Sequence, residues 1–425
     1  MFMREWRCRS NYPESMRVLL TGAAGFIGSH VHRALCAAGH DVVAVDALLT
    51  SVHGPNASAP EDVSVIDVRD PRALDPLLRG VEVVCHLAAA VPPGAVVAET
   101  AAAAVPAVPP EPEVDSATVE SEPKEASEDI PERGTEPATR PARGPEPVRG
   151  QRDRPPARPG GPDLQAGPTY AAHNDLGTAV LLAAMERAGV RRLVLGSSVS
   201  VYGEGRYRGS RGGVFFPIAR RRTDLDRGMF DHRAPRTGEI LTWDPILEEA
   251  PTRPRTAYAA SKAAQENYAL AWGLGTGAAV TVLRYHHVYG DPIGEHPSSA
   301  AHSGVVARFR AELVAGRAPF VFEDGGQVRD FVHVRDAAAA TLAAVERALP
   351  GFVPLNIASG HPITLWQAAS LMARARRGPE PVVTGNYRLT DVRHIVAHPE
   401  RAREALGFTA RIAPAQGLAD YATAP

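Results

Sequence analysis

The sequence predicts an α/β protein, a doubly wound parallel sheet followed by a smaller C-terminal α/β domain. Three observations carry that expectation. Residues 16–20 form a short apolar run suited to a strand buried on both faces. Gly22, Gly25 and Gly28 follow at three-residue spacing, where the pattern switches to helical periodicity through Ile27, Val31, Leu35 and Ala38. Gly39 ends that helix, and a second apolar run, 41–45, delivers Asp46 at its carboxyl end.

Each glycine in this strand, turn, helix and strand has its own physical role. Gly22 permits the sharp turn, Gly25 lets the backbone approach a pyrophosphate, and Gly28 allows close packing of helix on strand. The first helical amides, around Phe26 and Ile27, then face the anion with the helix dipole behind them. Asp46 stands where a carboxylate accepts from both ribose hydroxyls of NAD and repels a 2'-phosphate, so a Rossmann-type domain binding NAD rather than NADP is expected. No Lys-Ser or Lys-Thr closes the turn, which sets aside an NTPase phosphate loop.

The bulk properties fit small-molecule chemistry. At 425 residues the chain can hold one large and one smaller domain. A formal charge of −2 gives no basic surface for nucleic acid. The three cysteines, Cys8, Cys36 and Cys85, lack metal-ligand spacing and read as reduced and incidental. No apolar run is long enough and free enough of charge or Pro to span a bilayer, and the first fifteen residues lack a signal peptide's apolar core, so a cytoplasmic protein is expected. Residues 1–15 read as a disordered extension before the first strand.

In chain order, a third strand at 63–66 ends in Asp67, Val68 and, before Pro71, Asp70. Asp67 is the candidate for an adenine amino group, while Asp70 reads equally well as a helix cap. A fourth strand, 81–87, ends in Leu87, Ala88 and Ala89, small enough for a cofactor to lie against the backbone. From 92 to 168 the composition turns to Pro, Glu, Ala, Arg and Gly, which reads as a disordered insertion. A helix is expected from Tyr170 through Met185, ended by Gly189, and a strand at 192–195, leading to Ser197, Ser198 and Ser200. Tyr258 and Lys262, four residues apart, open a later helix and share one face. A free phenol titrates near ~10, so a Tyr that takes a proton at neutral pH needs neighbouring positive charge, which Lys262 and an oxidised nicotinamide can supply.

The segments TGAAGFIGSH, HLAAA, GSSVSVYG and YAASK together resemble the extended short-chain dehydrogenase/reductase family, in particular its NAD-dependent nucleotide-sugar epimerases and dehydratases. The resemblance covers nearly everything from Met16 onward except the insertion and part of 204–250. It implies that Tyr258 is the acid/base, that Lys262 also binds the nicotinamide ribose, and that Ser198 bonds the reacting sugar oxygen. Four-residue spacing to Tyr202 identifies Ser198, with Ser197 and Ser200 as alternatives. The next strand, 279–284, delivers Tyr285 to the cofactor side, and His287 stands where the family usually has a substrate-contacting Asn. RDFVHV implies Arg329 on the diphosphate of a sugar nucleotide, and YRLTD implies Arg388 on phosphate and Asp391 on the nucleotide ribose; Arg suits this because its fork binds phosphate bidentately.

Residues 204–250 form a second, basic insertion. Some relatives resemble a small zinc ribbon here, but the cysteine positions read Tyr207 to Gly209 and Ala234 to Gly238, so no metal is expected. If this lobe folds, Phe215, Phe216, Phe230 and Trp243 are its expected core. The expected domains are 16–290 with 327–349 returning, interrupted by the two insertions, and a nucleotide-sugar domain from 291–326 and 350–425; residues 319–326 read as hairpin-like. The expected activity is epimerisation of a dTDP- or UDP-hexose through a 4-keto intermediate, with a dTDP-6-deoxyhexose favoured, in a homodimer. A 4-ketoreductase or dehydratase of the same family is the nearest alternative, although Val199 and Ser200 replace the Asp-Glu pair of dehydratases. A non-catalytic NAD-sensing protein is the alternative of a different class.

Overall fold

The computed structural model describes residues 15–92, 162–293 and 304–424. The proposed N-terminal extension and most of the 92–168 insertion lie outside them. Strands β1 (Arg17–Thr21), β2 (Asp41–Asp46), β3 (Ser64–Val65), β4 (Val83–His86) and β5 (Arg192–Ser198) join two later strands, Ala279–Tyr285 and Phe352–Ile357. All seven are parallel, in the order Phe352–Ile357, Ala279–Tyr285, β5, β4, β1, β2, β3.

Side chains alternate across a strand, so β1 feeds two cores. Val18 and Leu20 face one layer with Val31 and Leu35 of helix α1 (Phe26–Ala37) and Ala337 and Ala340 of helix Val334–Glu346. Leu19 faces the other with Leu181, Met185 and Trp272. Covering both faces explains why the strands read as continuous apolar runs rather than alternating ones.

Register aligns the carboxyl ends. Thr21 pairs with Val45 and His86, and Ser198 with Tyr285. The turn before α1, Asp46, His86 and Ser198 therefore open on one edge of the sheet, where ligands bind in such folds. Helix α2 spans Thr50–His53, and helix α3, Pro71–Leu77, is capped by Asp70, whose carboxylate accepts from the N–H of Arg72 and of Ala73.

The structure corrects four sequence expectations. Phe352–Ile357, assigned above to the substrate domain, is the edge strand of the main sheet, and Ala402, Leu406 and Phe408 pack into the same core. Its six residues read equally well for either sheet; only the pairing with Ala279–Tyr285 decides. Helical structure resumes at Pro162, before the expected end of the first insertion, and residues Ala171–Leu176 form a π-helical turn. Residues 319–326 form no hairpin: Phe320–Val321 pairs in parallel with the distant Val382–Val383. The 204–250 lobe does fold, as an antiparallel sheet of Val214–Phe215, Arg206–Arg208 and Thr242–Asp244, but its core is Tyr207, Ala234 and Leu241, with Phe215 and Trp243 at its margin. Phe230 instead lies under the Arg393 guanidinium, and Phe216 is not in that core.

The smaller domain packs Val306, Phe309 and Leu313 of helix Gly304–Val314 against Met372 of helix Leu365–Arg376 and Leu418 and Tyr421 of helix Pro414–Thr423. Short strand pairs tie it to the site. Val328–Arg329 lies antiparallel to Ile363–Thr364 and parallel to His394–Ile395, and His287–Tyr289 runs parallel to Phe331–His333.

Candidate active site

One cavity of about 620 Å³ runs from the glycine turn across the sheet edge into the smaller domain. Its lining includes Gly22, Gly25, Phe26, Ile27, Gly28, Asp46, Asp67, Val68, Leu87, Ala88 and Ala89 at one end, Ser198, Tyr258, Lys262, Tyr285 and His287 in the middle, and Arg329, Arg388 and Asp391 at the other. The fold thus gathers these residues onto one wall or another, while Ser200 and Asp70 stand outside the lining.

The first end has the form of a dinucleotide cradle. A Cβ on Gly28 would stand 1.9 Å from the Gly22 carbonyl oxygen, and one on Gly22 would stand 2.6 Å from the Ala88 nitrogen. Gly22 also has φ +75, which L side chains rarely adopt. Helix α1 has Gly25 at its N-cap, with no side-chain cap and no acidic residue in its first turn, so its leading amides suit an anion. Asp46 is buried; its Oδ2 accepts from the Ala24 N–H at 3.1 Å and its Oδ1 from the Leu48 N–H at 2.9 Å. Oδ2 keeps a further lone pair for a hydroxyl, whereas Oδ1 also faces His53 Nε2 at 3.4 Å. Asp67 is already held by Arg69, through the Arg69 N–H at 2.9 Å and its guanidinium at 2.7 Å. Burial pushes its carboxyl up, but these bonds win and hold it below the usual range.

The middle carries the chemistry. Helix Ala257–Thr276 begins at Thr256, whose hydroxyl caps the Ala259 N–H, and so presents Tyr258 and Lys262 to the end of β5. The three serines are sorted by their partners. Ser197 donates to the buried Glu266 at 2.5 Å, and Ser200 donates to Ser198 Oγ at 2.9 Å. Ser198 accepts from Ser200 twice, including its N–H at 3.2 Å, and hydrogen-bonds the Tyr258 phenol. Its proton is thereby directed at the phenol.

Burial pushes the Tyr258 phenol up to about 12, the Ser198 bond pulls it down, and neighbouring Tyr170 pushes it up. Tyr170 meets it edge-on, with ring centroids 5.9 Å apart. Burial brings the Lys262 ammonium down to about 8, with Glu266 pulling it up. Lys262 donates to the Gly196 carbonyl and to Gln265 Oε1, both at 2.8 Å. Two of the three ammonium N–H groups are thus used within the protein.

A support that sequence reasoning missed joins the HLAAA segment to this helix. Asn174, in the π-helical turn, accepts from the Ala90 N–H at 2.7 Å and donates to the Ala90 carbonyl and to Ser261 Oγ. The widened turn aims an otherwise ordinary helical Asn inward, a use of π-turns common at functional sites. No local motif announces it.

At the far end Arg329 is buried and donates to the carbonyls of Val328, Val392 and Arg393 at 2.9, 2.5 and 3.0 Å. Burial lowers its pKa, while Asp391, Glu323 and Glu204 raise it. Among the described residues no carboxylate lies within ion-pair distance of it, an arrangement that suits an anionic ligand. The imidazole of His287 is driven well down by burial and by Arg329, so it is neutral, and among the described residues its Nδ1 has no partner. Phe322 and Arg308, neither marked by a motif, also line this end; the guanidinium carbons of Arg308 and Arg388 lie 5.1 and 5.2 Å from the Phe322 ring centre. Only the tertiary approach of three segments makes this stack. Among the described residues no group of three His, Cys, Asp or Glu could hold a metal ion, and no helix is long and apolar enough to cross a membrane.

A parallel sheet with a glycine-lined helix start, an acidic second-strand end and a Ser-Tyr-Lys group defines a dinucleotide-dependent enzyme of the Rossmann type. The profile of the NAD dependent epimerase/dehydratase family matches residues 18–105 and 236–358, and the chain belongs to that family. It is 27% identical over 421 residues to the dTDP-L-rhamnose 4-epimerase of Burkholderia thailandensis, covering 96% of this chain and 95% of that one. It is 24% identical over 409 residues to the UDP-glucose 4-epimerase of Azospirillum brasilense, covering 93% and 87%. Among solved structures, MoeE5 in complex with UDP-glucuronic acid and NAD is similar over 96% of this chain and 97% of its own, with 25% identity and a TM-score of 0.62.

Proposed function

We propose that the protein is an NAD-dependent 4-epimerase of a nucleotide-linked hexose. The observation that carries this is the single cavity in which the glycine turn, the Ser198–Tyr258 hydrogen bond and the Arg329–Arg388 end are continuous. A dinucleotide and a sugar nucleotide can therefore meet at Tyr258.

Gly22, Gly25 and the start of α1 would hold the pyrophosphate of NAD, Asp46 its adenine ribose and Lys262 its nicotinamide ribose. Held there, NAD would supply a reversible hydride acceptor and donor for the sugar C4 carbon. Tyr258 takes the proton of the sugar C4 hydroxyl as the C4–H bond breaks, and Ser198 holds that oxygen. The 4-keto sugar turns, and Tyr258 returns the proton to the C4 oxygen as the hydride lost from C4 comes back to its opposite face. Arg329 and Arg388 hold the diphosphate, Asp391 the nucleotide ribose, and neutral His287 contacts the sugar.

The long match to a dTDP-L-rhamnose 4-epimerase favours a dTDP-6-deoxyhexose over a UDP-hexose. Dehydration is disfavoured because Val199 is buried and Ser200 is engaged with Ser198, so no acid/base pair follows Ser198. The reading includes a homodimer located in the cytoplasm. The test is to incubate the purified protein with dTDP- and UDP-hexoses and follow C4 stereochemistry by NMR without added cofactor. Interconversion of C4 epimers supports the reading. Loss of water, or turnover only with added NADH, replaces it by the dehydratase or the ketoreductase.

A further inference from the structure

The 204–250 lobe grips one irregular segment of the substrate end along alternate residues. The Tyr387 hydroxyl donates to Asp226. Arg255, just beyond the lobe and ion-paired with its Glu204, donates to the Leu389 carbonyl at 2.7 Å, and an Arg220 N–H donates to the Asp391 carbonyl at 2.8 Å. The Arg393 N–H donates to Glu204 Oε2 at 3.1 Å, and its guanidinium to Asp231 Oδ1 at 2.9 Å. Between these anchors lies Arg388, over Phe322.

Arg220 occupies the middle of this grip. Besides Asp391 it donates to Glu323 Oε1 at 2.7 Å and to the Phe230 carbonyl at 3.0 Å, and it is buried. Glu323 is fully buried, adopts φ +55, and gives its other oxygen to Arg393 at 2.9 Å. It directly follows Phe322. One guanidinium thus ties the lobe to both flanks of the outer cavity, the Phe322 side and the Asp391 side.

The segment needs such support. Residues 384–391 form neither helix nor strand, so their placement depends on bonds from outside. A buried ionic network is a weak source of net stability, because desolvation offsets much of its attraction, but it imposes one geometry. We propose that the lobe is a strut for nucleotide binding, with Arg220 as a positioning residue that sets Arg388 and Asp391 against Phe322. This rests on the reading of that end as a nucleotide-diphosphate site.

The test uses the full chain loaded with NAD, titrated calorimetrically with UDP and with dTDP, and assayed with the nucleotide sugar it turns over. In Arg220→Gln, affinity for the better nucleotide is expected to fall tenfold or more and KM to rise equally, with kcat within about threefold and NAD affinity unchanged. Arg220→Lys restores part of the loss by keeping the charge beside Glu323. Unchanged nucleotide affinity and KM overturn the inference, as does an equal loss of NAD and nucleotide affinity, which marks general destabilisation. Should Arg220→Gln not fold, Tyr387→Phe removes one anchor from the surface; a threefold or greater loss of nucleotide affinity supports the strut, and no loss overturns it. Wild-type protein that binds neither nucleotide overturns the reading of the site itself, whereas wild-type binding that the variants leave intact overturns only the strut.

Discussion

His53 Nε2 lies 3.4 Å from Asp46 Oδ1, so the carboxylate expected to meet the adenine ribose is paired with an imidazole delivered by the short helix after it. The residues directly following Asp46 carry no cation, and no spacing in the sequence points to the return of His53. Both side chains are almost fully buried, and His53 also lines the cavity.

This pair bears on cofactor choice. A 2'-phosphate would face the Asp46 carboxylate in a poorly hydrated site, so NAD is expected to bind at least tenfold more tightly than NADP, about 1.4 kcal/mol. Asp46→Ala narrows that gap by removing the ribose bonds and the repulsion. His53→Leu widens it by removing the ring N–H that can donate to a phosphate. Calorimetry on both cofactors checks all three; equal affinities in the unmutated protein mean that Asp46 does not face the ribose.

Tyr258→Phe is expected to abolish turnover while NAD and nucleotide affinities persist, since only one hydroxyl is lost. Ser198→Ala is expected to slow turnover by roughly 10² or more, because the phenol loses its donor and the sugar oxygen its anchor. Ser197→Ala acts differently: its hydroxyl serves Glu266, so it should alter stability more than rate. Steady-state rates beside thermal midpoints separate these outcomes, and near wild-type turnover in Tyr258→Phe removes the acid/base assignment.

Gly28→Ala places a methyl group 1.9 Å from the Gly22 carbonyl oxygen, which neither backbone can absorb without moving. Overpacking of this kind costs roughly 1–3 kcal/mol. A lower thermal midpoint with weakened NAD binding is expected. Normal values for both would show that α1 does not pack against the turn this closely.

Acid should unfold the protein through buried neutral histidines. Burial lowers His86 and His286 from 6.5 to about 3 and His394 to about 4, with Lys262 and Arg284 adding to the first two and Asp231 opposing it in the third. The unfolded chain binds these protons near pH 6.5 and the folded chain does not, so stability is full above that value. It is lost as pH falls toward about 4, at roughly 1.4 kcal/mol per pH unit for each histidine. Urea unfolding at several pH values between 7.5 and 5 checks this. His86→Asn should flatten the dependence by about one proton; an unchanged slope would show that His86 charges in the folded state.

The sequence by itself determined the first half of the sheet, the cofactor end and the Tyr258–Lys262 pair. Those features are local: Gly22, Gly25 and Gly28 are bound to one turn, strand alternation to a period of two, and the Tyr–Lys spacing to one helical face. It also proposed Ser198 among three serines, but only the partners of Ser197 and Ser200 separate them in space. Tertiary structure alone decided the rest. Phe352–Ile357 joins the main sheet by pairing with a strand some seventy residues earlier, and Phe320–Val321 finds Val382–Val383 instead of a hairpin neighbour. The stack of Arg308 and Arg388 on Phe322, the reach of His53 to Asp46 and the grip of Arg220 on Asp391 each join segments distant in sequence or bent back on themselves. Such contacts carry no periodicity or spacing, because their geometry is set by how already formed elements pack.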